Sequence, residues 1–272
     1  MSIKKEPVVQ LLRSQFKSLD YLGSSLTPKE WHSPASLAGW VVFDVYAHII
    51  GTESMLEGYQ LPVVHIDVTA LDHVHNEIGV FNETWVESLS SLTPEAMLDR
   101  FRRITNSRLR SLEAMTQKEF DADAWTPAGP ATYGRFMQLR VFDCWMHEQD
   151  IREGLGRPGH ESGPCARASV DEVARNMGFI VGKKAAAPVG TSVTFELTGP
   201  VRRSIHVLVG KRAEVVDELA EPATATISMS SILFMRLAGG RSANLSSRHG
   251  GIDFSGDLEL AQRVVTNLAF TL

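Results

Sequence analysis

The spacing of the apolar residues changes along the chain, and this change restricts the fold more than any other feature. In the first part, a run that begins Val8, Leu12 and Phe16 recurs every three to four residues, as on one face of a helix. In the later part, residues 193–197 alternate between apolar and polar side chains, as on a half-buried strand. The pattern predicts an α+β protein with a helical N-terminal part and a C-terminal part that contains a sheet.

Helix start and stop signals divide the first part. Thr27-Pro28 and Thr93-Pro94 each place proline at a first helical position behind a capping threonine. We expect a second helix over about residues 37–58 and a last helix over about residues 133–155, which ends in a cluster of glycine and proline. These signals predict a four-helix bundle as an N-terminal domain over residues 1–160.

The second part reads as a smaller α/β domain over residues 164–272. One helix is expected at about 165–184, before the alternating segments begin. The strands are expected at 193–197, 205–209 and 225–229, and helical patterns at about 231–237 and 258–268 close the chain. We expect a largely antiparallel sheet.

Composition excludes several classes of function. The 272 residues carry a formal charge of −5 with no basic stripe, so we expect no nucleic-acid partner. No apolar run is long enough to span a bilayer, which predicts no membrane association. Cys144 and Cys165 form no CxxC pair, which is typical of a reducing compartment. We therefore expect a cytoplasmic protein.

Asp143 and His147 lie four residues apart on the predicted last helix, so their side chains project from the same face. A carboxylate and an imidazole so placed can bind one metal ion. His48 lies on a different helix, which a bundle can bring close. Three ligands of nitrogen and oxygen type with a position left open is the arrangement of a catalytic zinc site.

Spacing alone leaves other interpretations open. An aspartate and a histidine four residues apart also serve as a surface pair or as a buried polar pair. Spacing does not select His48 from the nine histidines, and His65, His73 and His75 are rival ligands, although a polar loop explains them better.

Several segments resemble a known enzyme family. Residues 40–48, WVVFDVYAH, resemble the second-helix motif of DinB-like bundle proteins. Residues 140–152, RVFDCWMHEQDIR, followed by GRP at 156–158, resemble the signature of the mycothiol-dependent maleylpyruvate isomerase family. Residues 234–241 (FMRLAGGR) and 254–261 (FSGDLELA) resemble the second domain of that family, which is similar to sterol carrier protein.

The resemblance implies a site and a cosubstrate. It implies a divalent metal, zinc, bound by His48 on the second helix and by Asp143 and His147 on the last helix. It also implies mycothiol, a low-molecular-weight thiol, as cosubstrate for a small electrophilic substrate. The characterised isomerase has glutamate where this chain has Asp143, which keeps the carboxylate but shortens the side chain by one methylene.

Other polar residues near these motifs have weaker assignments. Arg241 is the candidate catalytic residue, because a guanidinium can bind a substrate carboxylate in bidentate fashion; a solvated surface arginine is the alternative. Asp44, one turn before His48, is either an outer partner of an imidazole or a surface carboxylate. We interpret Asp150 and Arg152 as a structural ion pair.

Three residues are assigned to packing. Cys144 is next to Asp143 in sequence and so points away from the ligand face of its helix. We expect the rings of Trp40 and Trp145 in the core.

These features predict a metal-dependent enzyme that uses a thiol. A coordinating metal favours the thiolate, which can add to an electrophilic carbon. Release of the adduct makes an S-transferase, whereas rotation followed by elimination makes an isomerase. Two alternatives stay open: a non-catalytic metal-containing binding or stress-response module, and a metal-dependent hydrolase.

Overall fold

The structure is a computed structural model that describes residues 2–127, 129–241 and 250–271. The chain divides into two compact units, Met1–His160 and Glu161–Leu272. No helix among the described residues is long and apolar enough to cross a bilayer.

Helices dominate the first unit. Its elements are α1 (Lys5–Ser24), α2 (Pro28–Trp31), α3 (Val42–Leu56), α4 (Glu77–Leu89), α5 (Pro94–Ala114), α6 (Gln117–Phe120), β1 (Asp123–Ala124), β2 (Ala131–Thr132) and α7 (Tyr133–Gly154). The long helices α1, α5, α3 and α7 pack on one another in that cyclic order, which confirms the predicted four-helix bundle. The short strands β1 and β2 pair antiparallel just before α7.

Local sequence explains where the long helices begin and which of them lie deepest. The hydroxyl of Thr93 accepts a hydrogen bond from the Ala96 amide at 3.3 Å and caps α5, and Thr132 caps α7 by accepting from the Arg135 amide at 3.2 Å. Helix α3 is buried on almost every side from Val42 onward, although it carries His48, Thr52 and Glu53. Polar side chains on α3 and α7 therefore project into the interior of the bundle.

Two features of this unit differ from the sequence-based prediction. Helix α3 begins at Val42 rather than near residue 37, because Gly39 adopts a left-handed φ of 81° that a helix cannot accommodate. Helix α4 was not predicted, although Asn76 caps it by accepting from the Gly79 amide at 2.9 Å. Its buried face includes the charged Glu83, which obscures the apolar periodicity.

The second unit combines helices with a five-stranded sheet. Its elements are α8 (Pro164–Arg175), α9 (Met177–Phe179), a π-helical turn (Ile180–Lys184), β3 (Ser192–Thr198), β4 (Arg203–Val209), β5 (Ala213–Val216), β6 (Ala225–Ser230), α10 (Ser231–Ala238), β7 (Asp253–Gly256) and α11 (Leu258–Thr266). The strand order is β5-β4-β3-β6-β7, and only the β3–β6 pair is parallel. The predicted largely antiparallel sheet is confirmed.

The helix predicted over 165–184 is interrupted. Helix α8 ends at Arg175, and the chain continues through the short α9 into the π-helical turn. The side-chain amide of Asn176 donates to the Glu172 carbonyl at 2.9 Å, so that it competes with the backbone for this acceptor at the break.

Candidate metal centre

Three predicted ligands meet inside the first unit. Helix α3 carries His48, and α7 carries Asp143 and His147 on one face. The Nε2 atom of His48 lies 3.5 Å from Oδ2 of Asp143, and Nε2 of His147 lies 3.5 Å from Oδ1. One donor atom from each residue lies within 4.8 Å of the other two, and within the described ranges this is the one such group of three or more His, Cys, Asp or Glu side chains.

The donor set fits a divalent metal ion. His48 is buried, and neither of its ring nitrogens has a hydrogen-bond partner, which is costly for a polar group away from water. The ring centroids of His48 and His147 are 4.7 Å apart, so both imidazoles border the same space. Two imidazoles and one carboxylate match the ligand types of zinc, and a bound cation would satisfy one of the two nitrogens of His48.

Charges around the site set its protonation. Burial would raise the pKa of the Asp143 carboxyl, but the nearby charges of Arg140 and His147 hold it well below its usual value. Burial lowers the pKa of His48 in spite of Asp143. Burial would also lower the pKa of His147, but Asp143 and Asp150 raise it. At neutral pH the site therefore offers an anionic carboxylate and a neutral His48, which are the forms that bind metal.

Asp150 is a charge partner of His147 on the same helix. Its Oδ2 lies 3.3 Å from Nδ1 of His147, and its carboxylate is fully buried. The predicted ion pair between Asp150 and Arg152 is wrong, because Arg152 instead donates to Glu148 at 2.8 Å. Asp150 lies three residues after His147 on the helix, so the two side chains can meet, whereas Arg152 projects from a different side of the helix. A carboxylate behind a ligand imidazole fixes the orientation of the ring.

Arg140 holds the other side of Asp143. Its guanidinium donates to Oδ2 of Asp143 and, through Nε, to Glu53 at 2.9 Å. Glu53 also accepts from Arg108 at 3.1 Å, and Arg108 donates to Glu57 at 2.8 Å. An alternating series of charges thus runs from the site to neighbouring helices, with Arg140, Glu53 and Arg108 buried, and each charge has an opposite partner. The sequence pattern does not predict this network.

Trp40 covers the two imidazoles. Its ring centroid lies 5.3 Å from that of His48 and 6.0 Å from that of His147, and the residue is only partly buried. The expectation that Trp40 belongs to the core is therefore wrong, whereas Trp145 is almost fully buried as expected. His73 is not a ligand in this arrangement, because its Nε2 lies 2.8 Å from a carboxylate oxygen of Glu83.

The remaining candidates lie elsewhere. Asp44 accepts from the Val41 amide at 2.9 Å, so it caps α3, and Cys144 is fully buried as predicted. His65 and His75 are exposed outside the group of three. Arg241 follows α10 in the second unit, where its guanidinium donates to the carbonyl of Gly239.

Comparison with known proteins matches this chain with a class of proteins that have two domains. The family model described as the mycothiol maleylpyruvate isomerase N-terminal domain matches residues 12–152, and the model of the C-terminal domain of the same family matches residues 167–263. Comparison with curated proteins gives no match. The chain belongs to the mycothiol maleylpyruvate isomerase family, which is a family of enzymes.

Solved structures show the same fold. A crystal structure of mycothiol-dependent maleylpyruvate isomerase is 16% identical, with 93% of each chain covered and a TM-score of 0.59. The crystal structure of a histidine-to-alanine mutant of that enzyme gives the same values, 16% identity, 93% of each chain and a TM-score of 0.59. At this identity the similarity establishes the fold, and the chemistry has to be argued from the residues of this chain.

Proposed function

We propose that this protein is a zinc-dependent enzyme that uses a low-molecular-weight thiol, mycothiol, as cosubstrate and acts as an isomerase or S-transferase on a small electrophile. The observation that carries the proposal is the meeting of His48, Asp143 and His147, with the nitrogens of His48 buried and without partners. The choice of mycothiol as the thiol rests on membership of the family.

His48, Asp143 and His147 would hold the metal. When bound, a divalent metal favours the thiolate of a coordinated thiol, whose free pKa is about 8.5. Metal binding would displace the proton of His147, whose pKa is raised. Two neutral imidazoles and one carboxylate would then leave the ion a net positive charge and fewer than four protein ligands, which suits an anionic thiolate as a further ligand.

The surrounding residues keep this donor set in place. Asp150 faces Nδ1 of His147, which leaves Nε2 of that ring toward Asp143. Arg140 keeps Asp143 ionised and fixes its Oδ2. The indole of Trp40 lies against one side of both imidazoles.

Family membership supports an enzyme over a non-catalytic module. Arg241 is proposed as the catalytic residue that binds an anionic group of the substrate, because its guanidinium can pair with a carboxylate. Replacement by lysine keeps the charge but removes bidentate binding, so we expect Arg241→Lys to raise KM for an anionic substrate. An unchanged KM would refute this role.

The test of the proposed function is thiol binding and turnover with metal-loaded and metal-free protein. We expect a thiol that binds the loaded protein with an apparent pKa below its free value, together with thiol-dependent turnover of members of a panel of electrophiles. His48→Ala should abolish that turnover and leave the fold intact, because the bundle has its own apolar core. The matched control is His75→Ala, which removes an exposed histidine outside the site.

Two outcomes would contradict the proposal. If metal removal changes neither the thiol affinity nor its pH dependence, the thiol does not use this site. Turnover that needs metal but no thiol would identify a hydrolase instead.

The proposal includes a cytoplasmic location, where small thiols are kept reduced. Cys144 and Cys165 are both buried and neither forms a disulfide, which agrees with a reducing compartment.

A further inference from the structure

The indole of Trp40 lies against both imidazoles of the candidate metal centre. The ring planes are tilted by 41° to His48 and 36° to His147, with the centroid distances of 5.3 and 6.0 Å given above. These imidazoles come from different helices, α3 and α7. One side chain therefore restricts the two nitrogen ligands together.

A buried carboxylate fixes the indole in turn. The Nε1–H of Trp40 donates to Oε1 of Glu83, which belongs to α4 and is only 7% exposed. The same oxygen lies 2.8 Å from Nε2 of His73. A buried carboxylate is costly unless donors satisfy it, so Glu83 favours the geometry in which both contacts form.

Gly39 makes room for this arrangement. A Cβ at this position would lie 2.4 Å from Nδ1 of His73, so the ring of His73 occupies space that only glycine leaves open. The residue directly before Trp40 thus packs against the group that supports Glu83. The indole is fixed by its hydrogen bond to Glu83 and by the packing of the neighbouring Gly39 against the ring of His73.

We propose that Trp40 is a positioning residue of the metal centre, and that Glu83 and His73 act through it to preorganise His48 and His147. The inference rests on the proposed metal site, but it concerns the rings that surround the ligands and not the ligands themselves. Histidine side chains that are already held in place lose less rotational freedom when metal binds. Outer partners of metal ligands typically change affinity by about 10- to 100-fold.

The experiment measures the Kd of the full chain for Co²⁺ by competition with a chromophoric chelator, and the d–d absorption of the bound ion. We expect Trp40→Ala to raise Kd by about tenfold or more and to shift the d–d bands. Trp40→Phe should give a smaller loss, because a phenyl ring keeps the contact with the imidazoles. Trp125→Phe is the matched control, since that indole is 63% exposed in the same unit, and it should leave Kd unchanged.

A double-mutant cycle tests the role of Glu83. Glu83→Gln keeps an oxygen acceptor but loses the charge that strengthens the hydrogen bond from Trp40, so it should raise Kd in the wild-type background. Its effect should be smaller together with Trp40→Phe, because a phenyl ring has no N–H to donate. Equal effects of Glu83→Gln in both backgrounds would overturn the inference, and so would an unchanged Kd and spectrum in Trp40→Ala. Failure of the wild-type protein to bind Co²⁺ would instead refute the proposed metal site, so the two failures are distinguishable.

Discussion

Asp150→Asn is the substitution that tests the metal centre most directly without removing a ligand. Asparagine has nearly the same size and keeps an oxygen for the hydroxyl of Ser36, which lies 3.3 Å from Oδ1 of Asp150. What is lost is the negative charge 3.3 Å from Nδ1 of His147. We expect the fold to be retained and the affinity for zinc to fall.

The distance and burial bound the size of the effect. Two full charges separated by 3.3 Å interact by about 5 kcal/mol at an effective dielectric constant of about 20. A coordinated imidazole carries only part of a charge, so the loss should be smaller. Outer-shell carboxylates contribute about 10- to 100-fold in affinity, or about 1.4–2.7 kcal/mol, which is consistent with that bound.

The assay is zinc competition against a chromophoric chelator at fixed pH, with a thermal melt of the metal-free protein beside it. Asp99→Asn is the matched control, because that carboxylate is 61% exposed on α5. If Asp150→Asn binds zinc as tightly as the wild type, the carboxylate serves only the packing of α7 and the outer-partner argument is refuted.

Three other positions of the first unit can be tested by substitution. Asp143→Glu should retain metal and Asp143→Ala should lose most of it, since only the carboxylates supply an oxygen ligand. Equal metal content in the wild type and Asp143→Ala, by elemental analysis, would exclude a ligand role. Glu148→Gln should destabilise the protein by about 3–5 kcal/mol at neutral pH in denaturant titrations, because it breaks a buried charge pair. Burial opposes ionisation of Glu148, but His160 and Arg152 lower its pKa in the folded protein. The ionised carboxylate therefore contributes its full stabilisation above about pH 4.3, the pKa of an unperturbed glutamate, and loses it as the pH falls through the lower pKa of the folded state. The difference in unfolding free energy between wild type and variant should narrow over that range, and a constant difference would contradict this. Gly51→Ala should lower Tm, at a cost of about 1–3 kcal/mol, because the new Cβ would lie 2.4 Å from the ring of Trp85; an unchanged Tm would show that the α3–α4 contact relaxes freely.

Sequence periodicity was sufficient for most of the secondary structure. Helices α1 and α5 and strands β4 and β6 follow their apolar patterns closely, because each buries mainly one face along its length. Helix α4 does not follow such a pattern, since Glu83 lies on its buried face. The Glu83 carboxylate is paired there with the side chains of Trp40 and His73. A polar residue that finds its partners only through tertiary packing looks like a surface residue in the sequence.

The candidate site also depends partly on sequence spacing and partly on tertiary packing. The four-residue spacing of Asp143 and His147 fixes their common face by helix geometry alone, before any tertiary contact forms. The packing of α3 against α7 brought His48 to them, and it also decided that Asp150 faces His147 and that Trp40 covers both imidazoles. Helical spacing restricts which side chains can meet, but burial and the need to satisfy each buried charge select the contacts that form, and these depend on residues far apart in the chain.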